Sequence, residues 1–356
     1  MSCTLCSASL KDFAANPRFF AGVERRSAGQ ATMDVLSEAL HAVRMTGAIF
    51  YYAECTSPWG FAVPPLQQVA HVLAPGTERL VPYHLVAEGE ALVRFAGATS
   101  DIPLQAGDVV IIPHGDAHTV SHGSPSKLID SAASLGKFLG GDLRTMRLGG
   151  GGEKTAFVCG YFGCERHADA LFLAGLPQMI KINLRGDTTG QWLESSIRYL
   201  VAEADRGRAG QNVLLSKMAE ALFIQTLRIY MERLPPEQTG WLAGARDPIV
   251  GSCLALMHQQ PFRRWSLLHL AKEAGASKSV VAERFAQLLG EGPLTYLARW
   301  RLQLAARLLQ TTRKTIVQVA SEVGYESEAA FNRAFKREFE LPPAKYRRSS
   351  RDSSPH

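Results

Sequence analysis

The chain repeats itself near its C-terminal end, and this repeat narrows the possible folds more than any other feature. LAKEAGASKSVVAERF, Leu270–Phe285, aligns with VASEVGYESEAAFNRAF, Val319–Phe335, 49 residues further on. Ala271 falls on Ala320, Gly275 on Gly324, Val281 on Phe331 and Phe285 on Phe335, with one extra residue in the second turn. Those are the spacings a helix-turn-helix needs. A small residue lets two helices cross closely, and a glycine four residues later supplies the positive φ of the turn. Apolar residues four apart then bury one stripe of the second helix. Between the copies, PLTYLARWRLQLAARLLQTT, Pro293–Thr312, has Pro in its first turn and apolar residues at helical spacing, so it reads as a connecting helix. Two second helices joined rigidly in this way would reach successive major grooves about 34 Å apart.

Charge singles out the same end. The net charge of +6 is the sum of two unlike parts. Phe262–Arg348 carries sixteen Lys/Arg against eight Asp/Glu, a net of +8, whereas residues 1–261 total −2. A basic repeat on a nearly neutral chain points to a polyanionic partner, with nucleic acid foremost.

A length of 356 residues exceeds the roughly 250–300 at which one hydrophobic core stops growing, so at least two domains are expected. Hydrophobic residues at 46% and charged residues at 20% exclude a disordered or collagen-like chain. No stretch approaches 18 uninterrupted apolar residues and no basic-then-apolar leader opens the chain, so the expectation is a cytoplasmic protein without membrane contact. Six cysteines are too few for a disulfide scaffold.

From about Asp247 to Arg348 the sequence resembles the DNA-binding domain of AraC/XylS-type transcriptional regulators, most specifically in VGYESEAAFNRAFKREFELPPAKYR. That resemblance implies base-reading positions at Ser279, Ala282 and Glu283, with Arg284 adjacent, in the first copy. In the second it implies Glu328, Ala329, Ala330, Asn332 and Arg333. Side-chain chemistry supports part of this: Asn332 can pair with adenine and Arg333 with guanine. Lys278, Arg284, Lys336 and Arg337 are suited to phosphate contacts that position without specifying. Glu283 departs from the family, where this slot often carries Arg, and a carboxylate there repels phosphate.

The nearly neutral end holds a second pattern. VPYHLVAEGEALVRFAGATSDIPLQAGDVVIIPHGDAHTVS, Val81–Ser121, alternates as strands do and breaks at Gly, Asp and Pro. Gly107-x5-Pro113-x-Gly115-x2-His118 resembles the second motif of the cupin barrel, and His84-x3-Glu88 resembles part of the first. By that resemblance His84, Glu88 and His118 converge in the barrel mouth, with His122 nearby, as an effector-binding set. Pro82 occupies the slot of another cupin histidine and His122 that of a common asparagine, so the expectation is no cofactor, with a metal as the departure from it. A metal-dependent cupin enzyme carrying a DNA-binding module is the alternative to a non-enzymatic sensor.

CTSPWGFAVPP, Cys55–Pro65, and VCGYFGCERHADALFLAGLPQMIKI, Val158–Ile182, resemble the flanks of the cupin in a subgroup that includes oxidant-responsive regulators. Cys55 and Cys159 are therefore redox candidates. Arg166 and His167 lie near Cys159 and Cys164 in sequence, where they could favour a thiolate. Cys3-x2-Cys6 lacks a second pair and is a weak metal signal. Gly149–Gly152 reads as a flexible loop that lacks, directly after its last glycine, the Lys-Ser/Thr of a phosphate-binding loop.

The expected organisation is multidomain α+β. Residues 1–32 are a loose extension, with a short amphipathic helix beginning at Met33. Residues 33–185 form a cupin β-barrel, residues 186–234 a helical connector that in the family supplies a dimer surface, and residues 235–247 a Pro/Gly-rich linker. Residues 248–348 form an all-α domain with two helix-turn-helix units, followed by a disordered tail at 349–356. The implied protein is a transcriptional regulator whose cupin senses a small molecule or oxidant and controls promoter binding or activation. Its expected partners are double-stranded promoter DNA, the effector, RNA polymerase and a second copy.

Overall fold

The computed structural model describes residues 35–42, 45–70, 79–131, 145–164, 173–202 and 209–352. The expected extension at 1–32, Cys3, Cys6, Arg166 and His167 lie outside them. A short helix, α1 (Val35–Ala42), precedes eleven strands: β1 (Met45–Thr56), β2 (Trp59–Val63), β3 (Arg79–Glu88), β4 (Glu90–Phe95), β5 (Ile102–Gln105), β6 (Asp108–Ile111), β7 (His118–His122), β8 (Ile129–Asp130), β9 (Thr145–Gly149), β10 (Lys154–Cys164) and β11 (Ile180–Asn183). They form a six-stranded sheet ordered β11-β6-β3-β10-β1-β9 and a five-stranded sheet ordered β5-β4-β7-β2-β8. The cupin is thus a two-sheet, barrel-like sandwich. Ala53, Cys55, Trp59, Phe61, Val86, Val93, Val110, Val120, Phe157 and Cys159 fill the space between the sheets.

The central strands β3 and β10 are buried on both faces along most of their length, which explains why they read as nearly continuous apolar runs. Helices α2 (Thr188–Ala202) and α3 (Gln211–Glu232) pack on each other, and α3 packs on β1 and β11. Phe223 of α3 meets Phe162 at 5.2 Å between ring centroids, and Phe162 stacks on Tyr83 at 4.9 Å. The connector helices are therefore part of the cupin's packing. The Gly149–Gly152 turn, expected to be flexible, is pinned: Gly150 and Gly152 N–H donate to the carbonyls of Thr56 and Ser57 at 2.8 and 2.9 Å.

The expected linker at 235–247 is also folded. It contains α4 (Trp241–Arg246), in which Trp241, Leu242 and Ala243 are buried, and it ends on Asp247, whose Oδ1 accepts from Ile249 and Val250 N–H to cap α5 (Pro248–Gln259). The expectation of a flexible tether fails because Trp241 and Leu242 have apolar surface to bury and find a place for it. Six helices follow: α6 (Leu267–Glu273), α7 (Lys278–Leu289), α8 (Pro293–Thr311), α9 (Ile316–Glu322), α10 (Glu328–Phe339) and α11 (Pro343–Asp352). The last runs four residues beyond Arg348, which corrects the expected start of the tail at 349; residues 353–356 lie outside the described residues. Helix α1 packs against α5 rather than serving only as a lead-in to β1.

Candidate nucleic-acid interface and sensor cavity

The two sequence repeats fold alike. Gly275 and Gly324 adopt φ of +64° and +84°, and the residue after each glycine donates to the carbonyl five positions back: Ala276 to Ala271 and Tyr325 to Ala320, both at 2.9 Å. This is a Schellman closure, which satisfies carbonyls that the helix end would otherwise orphan. Ser277 and Ser327 then cap α7 and α10 by accepting from Val280 and Ala330 N–H. Val281, Phe285, Phe331 and Phe335 are fully buried, so the opposite faces of α7 and α10 are left to solvent. Helix α8 is shared: its Tyr296, Leu297 and Trp300 are buried ahead of Leu302, Ala305, Ala306 and Leu309, which enter the core around α9, α10 and Tyr346.

Lys278, Ser279 and Glu283 are exposed on α7, with Ala282 half-buried. Arg284 is exposed but committed, its guanidinium paired with Asp247 Oδ2. The nearly buried Asp247 carboxylate has a second oxygen to satisfy, and the exposed Arg284 supplies its partner. On α10, Glu328, Ala329, Arg333, Lys336 and Arg337 are exposed, Ala330 and Asn332 half-buried, and Asn332 Nδ2 donates to Glu328 Oε1 at 3.5 Å. The second helix thus presents three cations and an amide on one outward surface, while the first presents Lys278, Ser279 and a carboxylate.

In the cupin, a different set of residues meets from the one expected. His84 of β3 lies within hydrogen-bond reach of Cys159 of β10, Nδ1 to Sγ 3.1 Å, and of His118 of β7, Nε2 to Nε2 2.9 Å. His118 Nδ1 stands 2.7 Å from the carbonyl of Asp116. All three side chains are buried. The carbonyl can only accept, so His118 carries its proton on Nδ1 and its Nε2 accepts. His84 must then donate from Nε2, which leaves Nδ1 as the acceptor for the Cys159 thiol. Burial holds both rings neutral: with His118 beside it, His84 is pushed down to about 3, and His118 to about 4 against the opposing pull of the Asp116 carbonyl. One directed chain results, from thiol to imidazole to imidazole to carbonyl.

His84 and Cys159 border a cavity lined also by Ala53, Phe61, Val63, Val120 and Phe157, with a volume of about 10 Å³. That is room for about one water-sized molecule. Glu88, expected in this mouth, is exposed at the end of β3 and pairs with Lys154 at 3.1 Å. His122 is likewise outside, 3.6 Å from Glu153. Glu88 is four residues past His84, but the register shifts at Val86–Glu88, so Glu88 pairs with Ala156 and falls on the opposite face from His84. His122 sits at the far end of β7, four residues from His118. The first-motif and second-motif residues therefore contribute one histidine each, and Cys159 completes the set.

Cys55 and Cys159 share the inner face of neighbouring strands, because Cys159 pairs with Tyr51 and Cys55 with Thr155. Four strand residues separate them, about 13 Å. A disulfide needs Cα atoms within about 7 Å, so the two do not bridge in this fold. Cys55 has no exposure, and burial pushes its thiol up to about 12. A metal is poorly served here, since the two imidazoles spend their facing nitrogens on each other. Among the described residues no group of three or more His, Cys, Asp and Glu side chains has metal-holding geometry.

Sequence reasoning placed His84 and His118 together in the effector-binding set and Cys159 apart, as a redox candidate. The signal that unites them is the parity of inward positions on paired strands; the Asp116 carbonyl left no signal at all. The Arg284–Asp247 pair had none either, since it spans 37 residues.

A cupin family model matches residues 34–232, and a helix-turn-helix domain model matches residues 270–349. The transcriptional regulator AlkR of Acinetobacter baylyi is 31% identical over 89% of this chain and all of its own length. A putative AraC-like transcription regulator of Streptomyces lividans is 31% identical over 76% of this chain and 87% of its own. The RCS-specific transcriptional activator RclR of Escherichia coli is 27% identical over 91% of this chain and all of its own length. These relatives carry the names of transcriptional regulators. With its cupin followed by paired helix-turn-helix units, the chain belongs to the AraC-type family of DNA-binding transcriptional regulators.

Proposed function

We propose that the cupin of this regulator senses a small two-electron oxidant at Cys159 and thereby controls promoter binding or activation. The observation that carries this reading is the Cys159–His84 contact at 3.1 Å beside a cavity of about 10 Å³. Room for about one water-sized molecule favours an oxidant of the smallest kind over an organic effector of nutrient size. With hydrogen peroxide, the Cys159 sulfur attacks one oxygen and the O–O bond breaks. The other oxygen leaves with the thiol proton, which His84 Nδ1 is positioned to relay, as water, and Cys159 becomes a sulfenic acid. A polar S–OH in an apolar cavity differs from a thiol in volume and hydrogen bonding, which gives the oxidised chain a different preference among conformations. The similarity to an RCS-specific activator supports the same reading.

The proposed partners are promoter DNA, the oxidant, RNA polymerase and a second copy of the chain. Exposed Trp192 and Tyr199 on α2, with Val213 and Leu214 on α3, support the last. The test is a reporter fused to a promoter assigned by genome-wide mapping of bound sites. Cys159→Ser abolishes the peroxide response and keeps basal occupancy, and Cys55→Ser retains the response. A Cys159→Ser chain that still responds overturns the proposal.

A further inference from the structure

Eight residues, Gly240–Asp247, touch both halves of the chain at defined atoms. On the cupin side, the Arg246 guanidinium donates to the Leu234 carbonyl at 2.5 Å and to the Met231 carbonyl at 3.3 Å. Met231 is in the last turn of helix α3 and Leu234 lies two residues past its end, and a cation is favourable at a helix C-terminus. Trp241 also packs so closely on Gly175 that a Cβ there would stand 3.1 Å from the Trp241 Cβ. On the DNA-binding side, Gly240 N–H donates to the Leu288 carbonyl in the last turn of α7 at 2.8 Å. Trp241 Nε1–H donates to the Tyr296 hydroxyl of α8 at 2.9 Å, and Asp247 Oδ2 takes the Arg284 guanidinium of α7. Arg284 and Leu288 are one turn apart, so the segment grips α7 along a single face.

We propose that Gly240–Asp247 is the coupling element between sensor and reader: it ties the orientation of recognition helix α7 to the position of connector helix α3, with Arg246 as the positioning residue. A flexible tether would let the two move independently. This segment does not, because its backbone and side chains are hydrogen-bonded to α3 at one end and to α7 at both. The inference does not depend on what the cupin senses. Coupling is reciprocal, so DNA bound at α7 must be felt at the end of α3.

The experiment is hydrogen–deuterium exchange on the full chain, with and without a duplex selected from a random library. In the wild type, duplex slows exchange of the amides at residues 229–234 by about fivefold or more, in line with ordinary coupling free energies. Arg246→Ala loses this slowing while duplex affinity changes by less than about threefold, and Arg246→Lys, which keeps a cation at the helix end, restores part of it. Asp247→Asn is the second variant. It keeps the cap on α5 but drops the ion pair to Arg284, and it reduces the slowing with Arg246 intact. A wild type without slowing at 229–234 overturns the proposal, as does an Arg246→Ala or Asp247→Asn chain that keeps it in full.

Discussion

His84 and Cys159 are direct cross-strand partners in the register of β3 and β10, and their side chains meet at 3.1 Å on the inner face of the sheet. Two residues 75 positions apart are thereby fixed as one unit. The second imidazole and the Asp116 carbonyl set the direction of every proton in it.

Reagent size should discriminate among the cysteines. A cavity of about 10 Å³ favours reagents of near-water size, so hydrogen peroxide is expected to react there and a bulky aromatic disulfide is not. Peptide mapping after brief exposure of the folded protein is expected to find Cys159 oxidised by peroxide and spared by the aromatic reagent. Cys55 and Cys253, both pushed up to about 12 chiefly by burial, stay unmodified by either.

On the DNA side, α10 and its flank divide into reading and anchoring residues. Arg333→Ala is expected to cost about 1–3 kcal/mol on a selected duplex and to relax preference at one base position. Lys336→Ala should weaken binding to all sequences alike and reduce the salt slope by about 1. Titrations at several salt concentrations on selected and scrambled duplexes separate the two. Equal losses on both duplexes for Arg333→Ala contradict its assignment.

The twin turns carry different steric loads. Gly275 has open space where a Cβ would go, whereas a Cβ on Gly324 would stand 3.1 Å from Arg301 Cζ and 3.3 Å from Phe262 Cα. Positive φ alone costs an alanine roughly 1–2 kcal/mol. Gly324→Ala should therefore lower the thermal midpoint more than Gly275→Ala, and equal shifts would count against the packing described around Arg301.

Acid lability follows from the buried histidines. His84, His118 and His258 are lowered to about 3, 4 and 3, against an ordinary 6.5 in the unfolded chain. Above 6.5 all are neutral in both states and burial of the neutral ring is not penalised by protonation. As pH falls below 6.5 the unfolded chain binds protons that the folded chain refuses, so stability falls until pH reaches the folded values. Each histidine contributes about 1.4 kcal/mol per pH unit in that window. His258 lies against Trp300 at 4.0 Å between centroids, and its Nδ1 has no hydrogen-bond partner among the described residues. Its Nε2 meets the Tyr296 hydroxyl, which keeps Trp241 as a donor if the imidazole is removed. His258→Phe is expected to fold and to lose one histidine's share of the slope between pH 6 and 4, read from urea midpoints.

What the sequence made legible was what repeats or what is local. Gly275 and Gly324 announced their turns because only a residue without a Cβ takes that conformation cheaply, and Phe285 and Phe335 announced the buried stripe. The motif glycines and prolines located His84 and His118 for the same reason. Glu88 was misplaced because a motif's spacing does not reveal the register shift that turns it to the other face, and His122 because spacing does not say where the site ends along β7. Asp247 and Arg284 were missed because their pairing depends on how α5 crosses α7, which neither segment encodes alone. The 235–247 segment misled through composition: two prolines and two glycines outweighed Trp241 and Leu242, which decide its burial.

The most direct test of oxidant sensing uses one set of samples for two readings. The purified full chain is titrated with hydrogen peroxide, and each point is assayed for selected-duplex affinity and for Cys159 sulfenic acid, trapped on unfolding. The modified fraction and the change in affinity are expected to rise together, and Cys159→Ser to show no change at any dose. An affinity change that appears without modification of Cys159, or that survives in Cys159→Ser, would contradict the account.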